Sequence, residues 1–285
     1  MRVDLHLHSR SSDGVLSAEE YAAAIEAADV AIAVIADHDR IGESARLAAM
    51  LPGRAAVGIE LTCRYEYGNA DVLGLGLRNI AVFDDPERIE RYDALAFTLA
   101  AVAIRRCGFA LPLLQRPHQS DDGHPTKVLA DLVWVDRRNQ ARLLAEGVHS
   151  PAEFKLAYLA KGRPAAFADE LARLGDLPSV EEAIGKIHRS GGVAVLAHPG
   201  LLHALDLSAN IRQWAAAGLD GLETDHPSHD AESRTRFDRL AAQLGLLASY
   251  GSDSHDDLDH FAAPIRPWSA ARVADWRARL GIRPL

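Results

Sequence analysis

Val3-Asp4-Leu5-His6-Leu7-His8-Ser9 is the stretch on which the reading of the fold turns. Polar and apolar residues alternate with the period of a strand, so Leu5 and Leu7 face the packing while His6 and His8 share the opposite face. Imidazole is the commonest metal ligand at neutral pH, and two on one strand face can address one cation. The competing account makes them two polar residues closing an edge strand.

Working outward, the same arrangement recurs. A helix is expected from about Ser17 to Ala28, with Ser17 and Glu20 forming a capping box. An apolar run from Ala31 to Ala36 then ends at Asp37-His38-Asp39, a helix follows near Glu43 to Met50, and a run from Ala55 to Ile59 ends at Glu60. Late in the chain His198 follows Val193 to Ala197, Glu223 follows Gly218 to Leu222, and Asp253 with His255 follows Leu246 to Ser249. Strands alternating with helices predict a parallel sheet. In a parallel barrel such strand ends meet at the C-terminal mouth, where active sites lie. Leu61 to Tyr67 and Ala70 to Leu77, separated by Gly68-Asn69, read as an added hairpin. Between residues 78 and 177 buried strands give way to helical patterns, over Asp85 to Arg106, Lys127 to Val135 and Pro151 to Lys161, broken by a loop from Gln115 to Pro125. The expected organisation is therefore a barrel domain from residues 1–77 and 178–285 with a helical insertion subdomain at 78–177.

Composition narrows the function. The chain has 285 residues, 48% of them hydrophobic and 25% charged, which suits a globular protein with a sizeable core. Its net charge of -9 disfavours an extended nucleic-acid face, yet a small phosphorylated substrate remains compatible, because bound cations reverse the field locally. Cys63 and Cys107 are too few for a disulfide framework or a thiolate metal site. No run of about 18 apolar residues is present, and the charged start does not read as a signal peptide, so a soluble cytoplasmic protein without membrane contact is expected.

His6, His8, Asp13, His38, Glu60, His198, Asp253 and His255 supply nitrogen and oxygen donors without thiolate, a set that suits zinc, manganese or iron. Asp13, before Gly14, reads equally well as a ligand and as a turn residue. One tetrahedral ion does not use so many donors, so at least two are implied, with Glu60 free to bridge them. His38 stands between two aspartates, either of which could accept its second ring N–H.

These motifs resemble the PHP family, named for polymerase and histidinol phosphatase domains. The resemblance runs in order through Asp4 to Ser9, Ser12-Asp13-Gly14, Ala36-Asp37-His38-Asp39, Gly58-Ile59-Glu60, Ala197-His198-Pro199-Gly200 and Gly251-Ser252-Asp253-Ser254-His255. It is strongest to the bacterial branch of nucleoside 3',5'-bisphosphate phosphatases and 5'-3' exoribonucleases, whose insertion is similar to the segment from Phe154 to Pro164. The resemblance implies a distorted seven-stranded (β/α)7 TIM-like barrel holding two or three divalent ions. His6, His8, Glu60 and Asp253 would take the first, Glu60 with His198 the second, and Asp13, His38 and His255, the implied catalytic group, the third. Asp71 stands where the family usually has a histidine and is kept as a ligand candidate. Leu201 replaces the branch's arginine after His-Pro-Gly, and Pro125 and Lys127 replace an arginine and histidine of the insertion.

The implied activity is hydrolysis of a nucleotide, nucleoside bisphosphate or short oligonucleotide, by hydroxide attacking phosphorus in line. Arg10 and Lys127 are candidates for anchoring phosphate, and His229 resembles a pocket-lining position, with His226 beside it. His118, His124, His149, His188, His203 and His260 read as loop or helix-surface residues. Two other functions compete: a hydrolase of carbon–nitrogen bonds on a related barrel, and a module that binds metal without catalysis.

Overall fold

The computed structural model describes residues 1–112, 118–119, 123–159, 163–167, 170–171, 173, 175–255, 258 and 260–283. The chain divides into two compact units, Met1–Asp84 with Pro178–Leu285, and Asp85–Leu177.

The first unit opens with strand β1 (Arg2–Leu7), helix α1 (Ala18–Ala27), strand β2 (Val30–Ile35) and helix α2 (Ser44–Met50). β1 and β2 pair in parallel, with α1 in the long crossover that a parallel pair needs. The capping box at α1 is present: the Ser17 hydroxyl accepts from the Glu20 amide and the Glu20 carboxylate accepts from the Ser17 amide at 2.8 Å. β2 is buried along its whole length, which explains why Val-Ala-Ile-Ala-Val-Ile carries no alternation.

Two antiparallel strands follow, β3 (Gly58–Tyr65) and β4 (Gly68–Leu75). Here the sequence reading needs correction. The runs expected as a strand ending at Ile59 and a separate strand from Leu61 are one strand, so Glu60 lies inside β3 and not after it. The turn falls at Glu66-Tyr67, because Gly68 pairs with Tyr65 and Asn69 with Arg64. Gly68 takes φ 137°, a conformation open to glycine, so a residue read as the turn instead begins the returning strand.

The second unit is helical: α3 (Pro86–Arg106), α4 (Pro125–Val135), α5 (Arg137–Ala145) and α6 (Pro151–Phe154), the last running into a π-turn over Lys155–Leu159. Its core gathers Phe97, Ile104, Phe109, Leu129 and Phe154. His118, expected at the surface of a loop, is buried and its ring stacks on Phe97 at 4.5 Å. Residues 115–117 and 120–122 of that expected loop, and residues 160–161 of the expected helix, lie outside the described residues.

The first unit resumes with α7 (Val180–Arg189), β5 (Val193–Leu196), α8 (Leu207–Ala216), β6 (Gly221–Asp225), α9 (Ala231–Leu244), β7 (Leu247–Tyr250) and α10 (Ala270–Leu280). β6 also contains Glu223, which was expected after the strand. The order β3-β4-β5-β6-β7 forms one five-stranded sheet, with β5, β6 and β7 parallel. Successive residues such as Val195 and Leu196 belong to different hydrophobic clusters, so both faces of the sheet are packed.

The observed architecture is thus a mixed α/β arrangement. Its hydrogen-bonded ladders do not close into a barrel among the described residues, since β1 and β2 form their own two-stranded sheet. Single bridges link that pair to the larger sheet's edges: Leu7 to Ser254, Ala33 to Ala55 and His38 to Glu60. Among the described residues no helix is long and apolar enough to cross a membrane.

Gly58 shows how tightly β3 is seated, because a Cβ there would lie 2.3 Å from Val34 Cγ1 and 2.9 Å from the Ile35 carbonyl oxygen. Gly58→Ala is expected to destabilise the protein by about 1–3 kcal/mol, read from denaturant unfolding; an unchanged midpoint would contradict this packing.

Candidate metal centre

His6 and His8 leave β1 on the same face, fully buried, because the strand is clamped from below. The Asp4 carboxylate accepts from the amides of His6 (3.3 Å), Ser252 (3.0 Å) and Ala262 (2.8 Å), tying β1 to the segment after β7. Burial outweighs these bonds and pushes the Asp4 carboxyl up to about 7. Tyr21 adds a hydroxyl donated to the His8 carbonyl at 2.9 Å. Asp37 does not orient His38 as the sequence suggested. It accepts from the Ser9 amide (2.7 Å), the Ser9 hydroxyl (2.6 Å) and the Ser12 hydroxyl (2.5 Å), and so fixes the loop that carries Asp13.

At the centre lies Glu60. Its Oε2 is 3.2 Å from each of His6 Nε2, His8 Nε2 and His38 Nδ1, and its Oε1 is 3.2 Å from His198 Nε2. Asp253 Oδ1 stands 3.0 Å from His8 Nε2 and 3.5 Å from His6 Nε2. On the far side of His8, Asp13 Oδ1 is 3.5 Å from His8 Nδ1 and 3.9 Å from His38 Nε2, while Asp13 Oδ2 is 3.1 Å from His255 Nε2. Among the described residues, four donor groups result: His8, Asp13, His38 and His255; His6, Glu60 and His198; His6, His8 and Asp253; and His38, Glu60 and Asp71.

The charges of this cluster depend on one another. Burial alone would raise the Glu60 carboxyl, but the imidazoles of His6 and His38 hold it well below the usual carboxylate range. Burial likewise opposes charge on His8, which Asp253 and Glu60 nonetheless push up to about 10, and on His198, which Glu60 brings to about 9. The carboxylates therefore demand positive charge in their midst, which protons supply when nothing else does.

The donor chemistry fits a cation better than protons. Glu60 Oε2 accepts no hydrogen bond despite its three neighbouring imidazoles, and His6 Nε2 faces His8 Nε2 at 3.1 Å. The Asp253 carbonyl, 2.7 Å from His255 Nδ1, can only accept, so the proton of a neutral His255 sits on Nδ1. Its Nε2 lone pair then confronts a carboxylate oxygen of Asp13, a pairing that repels until a cation lies between.

The other sequence candidates fall elsewhere. Arg10 donates to Glu43 at 2.7 Å with its side chain largely exposed. Lys127 lies in the first turn of α4, in the helical unit. His229 is buried with both ring nitrogens directed at main chain: Nε2 accepts from the Gly200 amide (3.1 Å) and Nδ1 donates to the Thr224 carbonyl (3.3 Å). It therefore braces the turn after His198, whose φ is 25°.

Sequence reasoning counted Glu223 among the strand-end residues without giving it a role, and set His226 behind His229. Glu223 accepts from His6 Nδ1 and from the His198 amide, and His226 places Nε2 3.6 Å from Asp253 Oδ2. The spacing of Glu223, two residues before Asp225 on a strand next to His198, was the available signal.

With this geometry in view, comparison with known proteins defines the class. The chain is 29% identical over 274 residues to a 3',5'-nucleoside bisphosphate phosphatase of Chromobacterium violaceum, covering 89% of this chain and 87% of that one. It is 29% identical over 264 residues to a 5'-3' exoribonuclease of Haemophilus influenzae, covering 89% and 90%. Among solved structures, an amidohydrolase of Chromobacterium violaceum with bound sulfate superposes with TM-score 0.72 at 25% identity, covering 98% of this chain and 97% of that one. No protein-family profile matches the chain. The class so defined is that of the hydrolases. Within it, the chain is similar along most of its length to a bisphosphate phosphatase and an exoribonuclease, the two activities of the branch that its motifs resemble.

His229 yields a pH prediction. Burial, reinforced by His226, pushes its pKa from the ordinary 6.5 down to about 4. The unfolded chain binds this proton near 6.5 and the folded protein only near 4, so the stabilisation is complete above 6.5 and lost as pH falls between these values. The stability difference between wild type and His229→Gln, measured by thermal unfolding in chelator, is expected to narrow across that window; a constant difference would contradict it.

Proposed function

We propose that the chain is a metal-dependent phosphoesterase acting on a small phosphorylated substrate: a nucleotide, a nucleoside bisphosphate or a short oligonucleotide. The observation that carries this is the convergence of His6, His8, His38 and His198 on the single buried carboxylate of Glu60. The names of the two relatives supply the ester chemistry.

His6, His8, Glu60 and Asp253 would hold one ion, and Glu60 with His198 a second, with Asp71 available where relatives of this family use histidine. Asp13, His38 and His255 would hold a third. The nitrogen and oxygen set suits manganese, zinc or iron. When bound, such ions lower the pKa of water toward about 7 and neutralise charge on phosphoryl oxygens. The chain's own residues do the rest. Glu60 would supply the charge that keeps several cations together, and Asp37 holds the Ser9 to Ser12 turn so that Asp13 faces His255. Asp13, His38 and His255, at the more open rim, would lie nearest the reacting phosphate, and a carboxylate oxygen of Asp13 not engaged by metal would be the group to accept a proton from attacking water.

The same reading places the first unit among distorted (β/α)7 TIM-like barrels and treats residues 78–177 as an insertion, with Arg10 as an anchoring candidate, while His229, both of whose ring nitrogens are engaged by main chain, braces the turn after His198. The net charge of -9 supports a small substrate over an extended nucleic acid, and a cytoplasmic setting accords with nucleotide-like substrates. A second reading, hydrolysis of a carbon–nitrogen bond, is favoured by the description of the superposable Chromobacterium violaceum structure as an amidohydrolase.

Purified protein supplied with Mn2+ is expected to release phosphate or cleave phosphodiesters from a panel of nucleotides, bisphosphates and short oligonucleotides. Turnover should vanish on chelation and return with metal. His8→Ala, still folded, is expected to lose more than the ~100-fold that removal of a mere partner of a ligand costs. Amide turnover without phosphoester turnover would transfer the assignment to the second reading.

A further inference from the structure

We infer that Glu223, wedged between His6 and the backbone of His198, is the positioning residue that presents both imidazoles to cations. The inference rests on reading those two histidines as ligands, and goes beyond it by assigning a residue that makes no contact with an ion itself.

Glu223 is fully buried in β6, and each of its oxygens has one partner. Oε1 lies 3.3 Å from His6 Nδ1, and Oε2 accepts from the His198 amide at 2.7 Å. A carboxylate can only accept, so the His6 proton is drawn to Nδ1 and the Nε2 lone pair is left facing Glu60, His8 and Asp253. That is the tautomer a metal ligand needs. The second oxygen acts on the main chain. His198 adopts φ 25°, which few residues other than glycine tolerate, and the bond to its amide helps hold that turn while His198 Nε2 points at Glu60. His6 and His198 come from strands in different sheets, so one side chain sets the spacing of ligands that no hydrogen-bonded ladder relates.

A second observation shows that space is kept for this contact. A Cβ on Gly251 would lie 2.3 Å from Glu223 Oε1 and 2.3 Å from His6 Cβ. Any side chain at that position, just beyond β7, would displace the pair. The glycine therefore belongs to the same device, although it is two residues from Asp253 and was read as part of that motif alone.

Mn2+ binding to metal-free protein, followed by competition with a chromophoric chelator, tests the inference without recourse to activity. Glu223→Gln keeps the volume but offers one acceptor where two are needed, and should weaken Mn2+ binding by ~10–100-fold while the chelated protein still melts cooperatively. Loss of melting temperature with unchanged Mn2+ affinity would assign Glu223 a structural role only and overturn the inference. If the wild type itself takes up no Mn2+, the metal reading fails and carries this one with it. Should the variant not fold, the wild type decides: with Zn2+ bound, ring 15N spectra are expected to show His6 protonated at Nδ1, and protonation at Nε2 would overturn the assignment.

Discussion

A carboxylate buried away from water among imidazoles is the constraint on which this structure depends. Glu60 is fully buried, and an ionised carboxylate in such a place costs several kcal/mol unless positive charge accompanies it. The protein brings that charge from three strand ends, since His6 and His8 stand at the end of β1, His38 follows β2 and His198 follows β5. Removing any one would leave the others facing an uncompensated anion. This mutual dependence makes the cluster a better host for divalent cations than for the protons that must otherwise balance it.

Around this centre, three further carboxylates serve as struts. Asp4 gathers three amides from β1 and the chain after β7, Asp37 takes an amide and two hydroxyls of the Ser9 to Ser12 turn, and Glu223 joins His6 to His198. Each is buried and each has its oxygens satisfied, which is the condition under which buried polar groups stiffen a site instead of weakening it. They matter because, among the described residues, the backbone pairing between β1–β2 and the five-stranded sheet consists of isolated bridges. Side-chain bonds supply across that junction the spacing that ladders supply within each sheet.

What could be read from the sequence follows from how local each signal is. The two-residue period of His6 and His8 survives into the structure because a strand's alternation is a local property. The capping box at Ser17 is legible for the same reason. Glu60 and Glu223 were placed one step wrong, after strands instead of inside them, because an isolated carboxylate in an apolar run looks like a terminus when its buried partners lie elsewhere in the chain. Asp37 was one of two aspartates offered as a partner for His38, whereas its partners Ser9 and Ser12 are some 25 residues away, a pairing no spacing rule encodes. His118 looked like a loop residue because its flanks are polar, whereas it is buried with its ring stacked on Phe97. Sheet closure is still less local, as it depends on the junctions at Leu7 and His38.

The most direct measurement is anomalous diffraction from crystals of the full chain loaded with Mn2+. The account predicts at least two peaks, one bonded to Glu60 together with His6 and His8, and another bonded to Asp13 with His255. Manganese bound only at surface carboxylates, with Glu60 still surrounded by uncoordinated imidazoles, would contradict it.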